Sequence, residues 1–316
     1  MPKPPADPAL TLEDASELVD DWLVHLRGAR KSDGTLVTYE RGVRQFLAFC
    51  AAHGHVDPIN RRSVDAWLAH LRDEQKMQGY TARSRLTAVR QFAKWLLAEH
   101  EIEINPLVDM TQPAVDEKLI EPFTSEQIHA LLKTCQSPKG ATPERVYVDT
   151  RDAAIIRVLA ETGMRAGELV ELVIDDVHWK DADPYLLIRR TKTRRGRSVP
   201  LSANTAEALS RYMRARRKLK HHDSERFWLA ARGGPLQYAG LYDALVKHAK
   251  EAGITDMHPH RFRHTAAHRW LSKGGSEGGL MSVAGWQSPQ MVMRYTRAQA
   301  SARAAEESKR LNLGEL

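Results

Sequence analysis

At 316 residues the chain is long enough for two domains of ordinary size. Charged residues make up 28% and hydrophobic residues 42%, which excludes wholesale disorder; no run of about 18 apolar residues is present to cross a membrane, and the opening MPKPPADPAL lacks a signal peptide's apolar stretch. A net charge of +7 favours a polyanionic partner such as nucleic acid, and the two cysteines, Cys50 and Cys135, read as core thiols rather than a disulfide framework or zinc site.

Residues 1–10 are proline-rich and are expected to be disordered, and four helical patterns follow. The first carries Leu18, Trp22, Leu23 and Leu26. The second opens after Ser32-Asp33-Gly34, places Tyr39, Val43, Phe46, Leu47 and Cys50 on one face, and stops at His53-Gly54. The third has Val64, Trp67, Leu68 and Leu71, and the fourth Leu86, Val89, Phe92, Ala93, Leu96 and Leu97. Together they predict a compact helical domain over residues 11–104. Its other faces hold Arg41, Arg44, Arg83, Arg85, Arg90 and Lys94, which read either as a solvated basic face or, taken together, as a phosphate-contacting surface.

Between residues 105 and 122 the periodicity lapses and Pro106, Pro113 and Pro122 interrupt it, as in an extended interdomain linker. A second domain, 123–296, then opens on a capping box formed by Thr124 and Gln127. In it, Asp152 to Leu159 is an apolar helical run that breaks at Thr162-Gly163, and Arg165 to Val173 resumes helical spacing. The only clear β signal comes next. Residues 184–188 and 197–201 flank the basic turn Thr193-Arg194-Arg195-Gly196 and read as a hairpin, with a short strand before it around Val177. The rest is expected to be helical, and residues 297–316 form an alanine-rich tail. The fold class is mainly α with a small antiparallel sheet.

Four segments of this second domain carry chemistry-bearing residues in a fixed order: Glu161-Thr-Gly-Met-Arg165-Ala-Gly-Glu168-Leu169; Lys192 in Arg190-Thr-Lys-Thr193; His258-Pro-His260-Arg-Phe-Arg263-His264-Thr265; and Ala284-Gly-Trp286-Gln-Ser-Pro289 followed by Tyr295-Thr296. This ordered set resembles the signature boxes of the tyrosine recombinases of the phage-integrase family, and the N-terminal helices resemble that family's SAM-like core-binding domain. The resemblance implies a site-specific recombinase that acts on double-stranded DNA target sites through a 3′-phosphotyrosine. It further implies work without cofactor, metal or ATP, and a homo-tetramer in the synapse whose tail docks on the neighbouring protomer. It leaves room for accessory or directionality factors and involves no membrane, so a cytoplasmic location is expected. The layout is similar to the simpler Xer or Cre type. Met164 and Ala166-Gly167 vary the first box, and the glycine-rich Gly274–Gly279 before the third predicts a mobile loop.

The residue types suit that chemistry in their own right. A phosphodiester under attack develops charge on its non-bridging oxygens, which Arg165 and Arg263 can clamp with charge-assisted hydrogen bonds. Trp286 can add an indole N–H where many relatives carry histidine. Tyr295 is the candidate nucleophile, and it stores the energy of the phosphodiester in the new bond. With an ordinary pKa of about 10 it needs a base, for which His260 fits, and the departing sugar oxygen needs a proton, for which Lys192 fits. Arg194 and Arg195 share the hairpin and are DNA-contact candidates, and Glu168 reads either as an orienting carboxylate or an exposed one.

Three other readings compete. His260, His264 and His268 would share one helix face, as in a metallohydrolase, but the glutamate of a His-Glu-x-x-His motif is missing and Arg261, Arg263 and Arg269 would repel a cation. A non-catalytic DNA-binding module is opposed by the presence of every catalytic position. A type IB topoisomerase shares the chemistry, but the small helical domain and proline-rich linker do not favour it.

Overall fold

The computed structural model describes residues 10–113, 115, 120–189, 196–286, 288–296 and 300–312; the proline-rich residues 1–9 lie outside them. The chain divides into two compact units, Met1–Lys118 and Leu119–Leu316.

Unit one holds α1 (Leu12–Gly28), α2 (Asp33–Ala52), α3 (Arg61–Asp73) and α4 (Gly79–Ala98). The first three open on side-chain caps, with Thr11, Ser32 and Asn60 accepting backbone N–H bonds from Asp14, Thr35 and Ser63. The apolar stripes converge on aromatic pairs: Trp22 lies against Phe92 with ring centres 5.2 Å apart, and Phe46 against Trp67 at 5.0 Å. Each such ring, fully buried, contributes roughly 2–3 kcal/mol of apolar transfer. Cys50 is buried here.

The segment read as a linker is irregular where it is described, and its two ends are packed. Leu107 and Met110 sit in the core of unit one, and Arg90 donates to the carbonyls of Val108 (2.8 Å) and Met110 (3.4 Å). Residues 114 and 116–119 lie outside the described residues.

Unit two begins with α5 (Ser125–Thr134), on the capping box of Thr124 and Gln127. Next, α6 (Pro143–Thr162) starts well before the apolar run visible in the sequence, because Thr142 caps it and Pro143 supplies a preset first turn. After α7 (Ala166–Glu171) come β1 (Val177–His178), β2 (Tyr185–Ile188) and β3 (Arg197–Pro200), an antiparallel sheet in the order β1-β2-β3 with Leu186 opposite Val199. Helices α8 (Ala203–Arg216), α9 (Tyr238–Glu251), α10 (Pro259–Ser272), α11 (Glu277–Ala284), α12 (Pro289–Thr296) and α13 (Ala300–Leu311) complete it. The buried side chains of α6, α8 and α9 meet the inner face of the sheet at Leu186, Ile188 and Val199. Beside them His248 Nε2 lies 3.1 Å from the Asp152 carboxylate, which also pairs with Arg151 at 2.8 Å.

Two expectations change. Residues 217–237 are not helical: Arg216, 1% exposed, donates to the carbonyls of His222, Ser224, Arg226 and Phe227, so these oxygens are turned onto one guanidinium instead of into a helical ladder. The run Gly274–Gly279 is not an isolated loop either. It turns into α11, and the Trp270 ring lies so close that a Cβ at Gly279 would come within 2.9 Å of it, while the indole N–H donates to Ser276 O at 2.9 Å. Gly275 and Gly279 allow this close packing against Trp270.

Candidate active site

The bend between α6 and α7 sets the first arginine. Gly163 ends α6 in the left-handed region (φ +59°), a conformation that costs other residues about 1–2 kcal/mol. Two residues later Arg165 is the N-cap of α7, with its backbone N–H donating to Glu168 Oε2 (3.0 Å) and its Nη1 to Glu168 Oε1 (3.0 Å).

Helix α10 crosses this bend. A Cβ on Gly163 would stand 2.8 Å from Ala266 Cβ, so the close crossing requires glycine. The proximity lets Arg263, 2% exposed, donate from Nη1 to Gly163 O (2.8 Å) and from Nη2 to Ala284 O (2.7 Å). With both ends of the guanidinium fork held, its plane is fixed. Trp286 is buried, its ring centre 5.0 Å from the Arg263 guanidinium, and it packs in one cluster with Val292 of α12 and Leu280 and Ala284 of α11. His260 is exposed on the first turn of α10, with its ring 5.2 Å from that of buried His264.

Strand β3 closes the arrangement from the other side. Arg197 donates to both oxygens of Glu168 (3.1 and 2.7 Å) and from Nε to Val283 O (2.8 Å). Burial works to push the Glu168 carboxyl up, yet the hydrogen bonds from Arg197 and the Arg165 backbone, with both positive charges, hold it below its usual range. One carboxylate thus serves two guanidiniums. Arg189 at the end of β2 pairs with Asp176, so both strands of the hairpin are anchored at its base. The turn itself, with Lys192, Arg194 and Arg195, lies outside the described residues. Tyr295 falls in the last turn of α12, three residues beyond fully buried Val292; its side chain lies outside what is described.

The structure therefore brings Arg165, Arg263 and Trp286 into one connected network, with His260 on the same helix as Arg263. Sequence reasoning left one member of it open and missed another. Glu168, which reads equally as a surface carboxylate, is buried, and Arg197, which reads as one more hairpin cation, is its main partner. Arg261, which the sequence offers only as a cation opposed to metal binding, fastens the start of the unit to α10: it donates to Glu121 O (2.9 Å) and Thr255 O (3.0 Å), its guanidinium stands 4.1 Å from the centre of the Phe123 ring, and Phe123 N–H donates to Thr265 Oγ1 (2.8 Å).

In unit one, Arg41 and Lys94 are exposed. Arg85 is half-buried and donates from Nη1 to Thr38 O (3.4 Å), and burial followed by the nearby charge of Arg41 lowers its guanidinium pKa. The others are engaged within the chain. Arg44 pairs with Asp20 and Glu40, Arg83 donates to Gln112, and Arg90 holds the carbonyls named above. Among the described residues no three His, Cys, Asp or Glu side chains are grouped to hold a metal ion, and no described helix is long and apolar enough to cross a membrane.

The sequence profile of the phage integrase family matches residues 121–302, and that of the phage integrase N-terminal SAM-like domain matches residues 19–100. The chain is 29% identical over 302 residues to the tyrosine recombinase XerD of Corynebacterium glutamicum, covering 90% of this chain and 95% of that one. Its fold is similar to that of the XerH site-specific recombinase bound to palindromic difH substrate in a post-cleavage complex (TM-score 0.71, 17% identity, 95% of this chain and 85% of that one). It is also similar to that of lambda integrase as a tetramer bound to a Holliday junction (TM-score 0.66, 17% identity, 92% and 78%).

Proposed function

Given that this chain belongs to the phage integrase family, we propose that it is a site-specific DNA recombinase that cuts and rejoins strands of double-stranded target sites through Tyr295. The tyrosine oxygen attacks the scissile phosphorus, the phosphotyrosine bond forms on the 3′ side, and the 5′ oxygen leaves with a proton. A free 5′ hydroxyl from a second strand then attacks the phosphotyrosine, reforms the phosphodiester and returns the proton to Tyr295. One ester replaces another, so no ATP is consumed.

Arg165 and Arg263 hold the non-bridging oxygens, each such preorganised donor contributing on the order of 3 kcal/mol in the transition state. Trp286 adds its indole N–H, His260 takes the tyrosine proton and Lys192 protonates the leaving oxygen. The observation that carries this reading is the held Arg263 fork, one turn from His260 and tied by Gly163 to the bend that presents Arg165. Because guanidiniums supply the positive charge, the chemistry needs no divalent metal, and EDTA should leave it intact. Unit one, with Arg41, Arg85 and Lys94, contributes the phosphate grip on DNA; Arg194 and Arg195 extend it from the hairpin. Four protomers form the synapse, a reading supported by the tetrameric lambda integrase complex, and residues 297–316 dock on a neighbour. A cytoplasmic place of work belongs to the same reading.

The test is Tyr295→Phe on a nicked duplex selected from a randomised pool by covalent capture on the wild type. The variant should bind that duplex with unchanged affinity and give no covalent protein–DNA band on a denaturing gel. A band that persists in the variant would refute the assignment.

A further inference from the structure

Arg165 and Arg197 converge on one buried carboxylate, and they do so unequally. The Arg165 side chain is 30% exposed, and it meets the carboxylate through one Nη1 contact at 3.0 Å. The Arg197 side chain is 8% exposed, grips both oxygens of Glu168, and is fixed at Nε by the Val283 carbonyl. Its guanidinium also packs on Gly285, where a Cβ would stand 3.0 Å from Nη1. A carboxylate and one guanidinium form a closed, neutral, two-bond pair. If Arg165 were the sole partner of Glu168, that pair would be Arg165–Glu168, and the charge meant for a phosphate would be neutralised inside the protein.

We propose that Arg197 is a positioning residue that satisfies Glu168 so that Arg165 keeps its positive charge and its outward N–H groups for the scissile phosphate. Two guanidiniums against one carboxylate leave a single net positive charge. It resides on the more exposed member, because the buried one is committed on all three nitrogens. The same side chain ties β3, which leads out of the Lys192 turn, to the Val283–Gly285 turn that leads into Trp286. One side chain therefore joins Glu168 and β3 to the turn next to Trp286. The inference rests on the recombinase reading above.

The experiment is a double-substitution cycle of Arg197→Gln and Glu168→Gln, read as single-turnover cleavage of the duplex selected by covalent capture, with binding affinity and melting temperature measured alongside. In the wild-type background Arg197→Gln should slow cleavage about 30-fold or more, because Arg165 is drawn onto Glu168. In the Glu168→Gln background, where no carboxylate competes for Arg165, the same substitution should cost less than about threefold. The double variant buries neither charge, so it keeps the test alive if Arg197→Gln alone fails to fold. Acidification separates this role from a structural one. Protonating Glu168 releases Arg165, so the deficit of Arg197→Gln should narrow as the pH falls, whereas a merely weakened fold would do worse in acid. Equal losses in both backgrounds, or a deficit that widens in acid, would overturn the proposal while leaving the recombinase reading in place. Failure of the wild type to capture any duplex would overturn that reading, and this one with it.

Discussion

Substitution of Gly163 by alanine tests how tightly the crossing of α6 and α10 sets the active centre. Two costs arise from the geometry. The left-handed φ of +59° costs a residue with a Cβ about 1–2 kcal/mol. The new methyl would stand 2.8 Å from Ala266 Cβ and 3.4 Å from Arg263 Cα, both on the packed face of a helix, and such overpacking typically costs about 1–3 kcal/mol. The sum, about 2–5 kcal/mol, lowers the melting temperature of a domain this size by on the order of 10 °C. Relief comes by moving α10 outward, which stretches the 2.8 Å bond from Arg263 to the Gly163 carbonyl. A displacement near 1 Å at a reacting centre costs about 10²-fold in rate. Gly28→Ala, where a Cβ meets nothing within 4 Å, is the matched control. Thermal denaturation and single-turnover cleavage should both fall for Gly163→Ala and not for the control. A variant that melts lower but cleaves at the wild-type rate would break the link between this crossing and catalysis, and one unchanged in both would refute the packing argument.

Arg263→Lys should lower single-turnover cleavage at least about 10²-fold, since an ammonium cannot hold the Gly163 and Ala284 carbonyls and present a planar fork together; near-wild-type rates would place Arg263 outside the centre. Burial pushes the Asp152 carboxyl up, but hydrogen bonds and charge from His248 and Arg151 outweigh it and hold it below its usual value, so the native state prefers the ionised form. That stabilisation is present above pH of about 4 and is lost as the pH falls through the lowered native value. Asp152→Asn should therefore be less stable than wild type at pH 7 and show a shallower acid limb in urea unfolding; parallel acid limbs would count against it. Truncation after Thr296 should leave half-site binding intact and abolish recombination between two duplexes, whereas undiminished recombination would remove the docking role of the tail.

The capping box at Thr124 and the break at Gly163 were legible in the sequence because each is fixed within four or five residues, and the hairpin at 184–201 because two short strand-like runs flank a basic turn with glycine. Helix α6 was only half legible. It buries Asp149, Arg151 and Asp152 along with its aliphatic residues, so no polar face marked its first turns. The Glu168–Arg197 pair spans 29 residues of chain and follows no periodicity, and a guanidinium headed for the interior looks in sequence like its solvated neighbours. Arg44 and Arg90 read as part of a basic face, solvated or phosphate-contacting, and their partners within the chain, Asp20 and the carbonyls beyond Leu107, could be found only in three dimensions.

The fastening of Glu121 and Phe123 by Arg261 and Thr265 has a mechanical consequence. The chain enters unit two on α10 itself, through the ring of Phe123 and the bonds to Glu121 O and Thr265 Oγ1. A pull on the chain at Glu121 and Phe123 therefore bears on the helix that carries His260 and Arg263, together with the core in which the Phe123 ring is buried. The anchorage works as a cleat: load at Glu121 is taken up by hydrogen bonds to α10 as well as by the packing of the Phe123 ring.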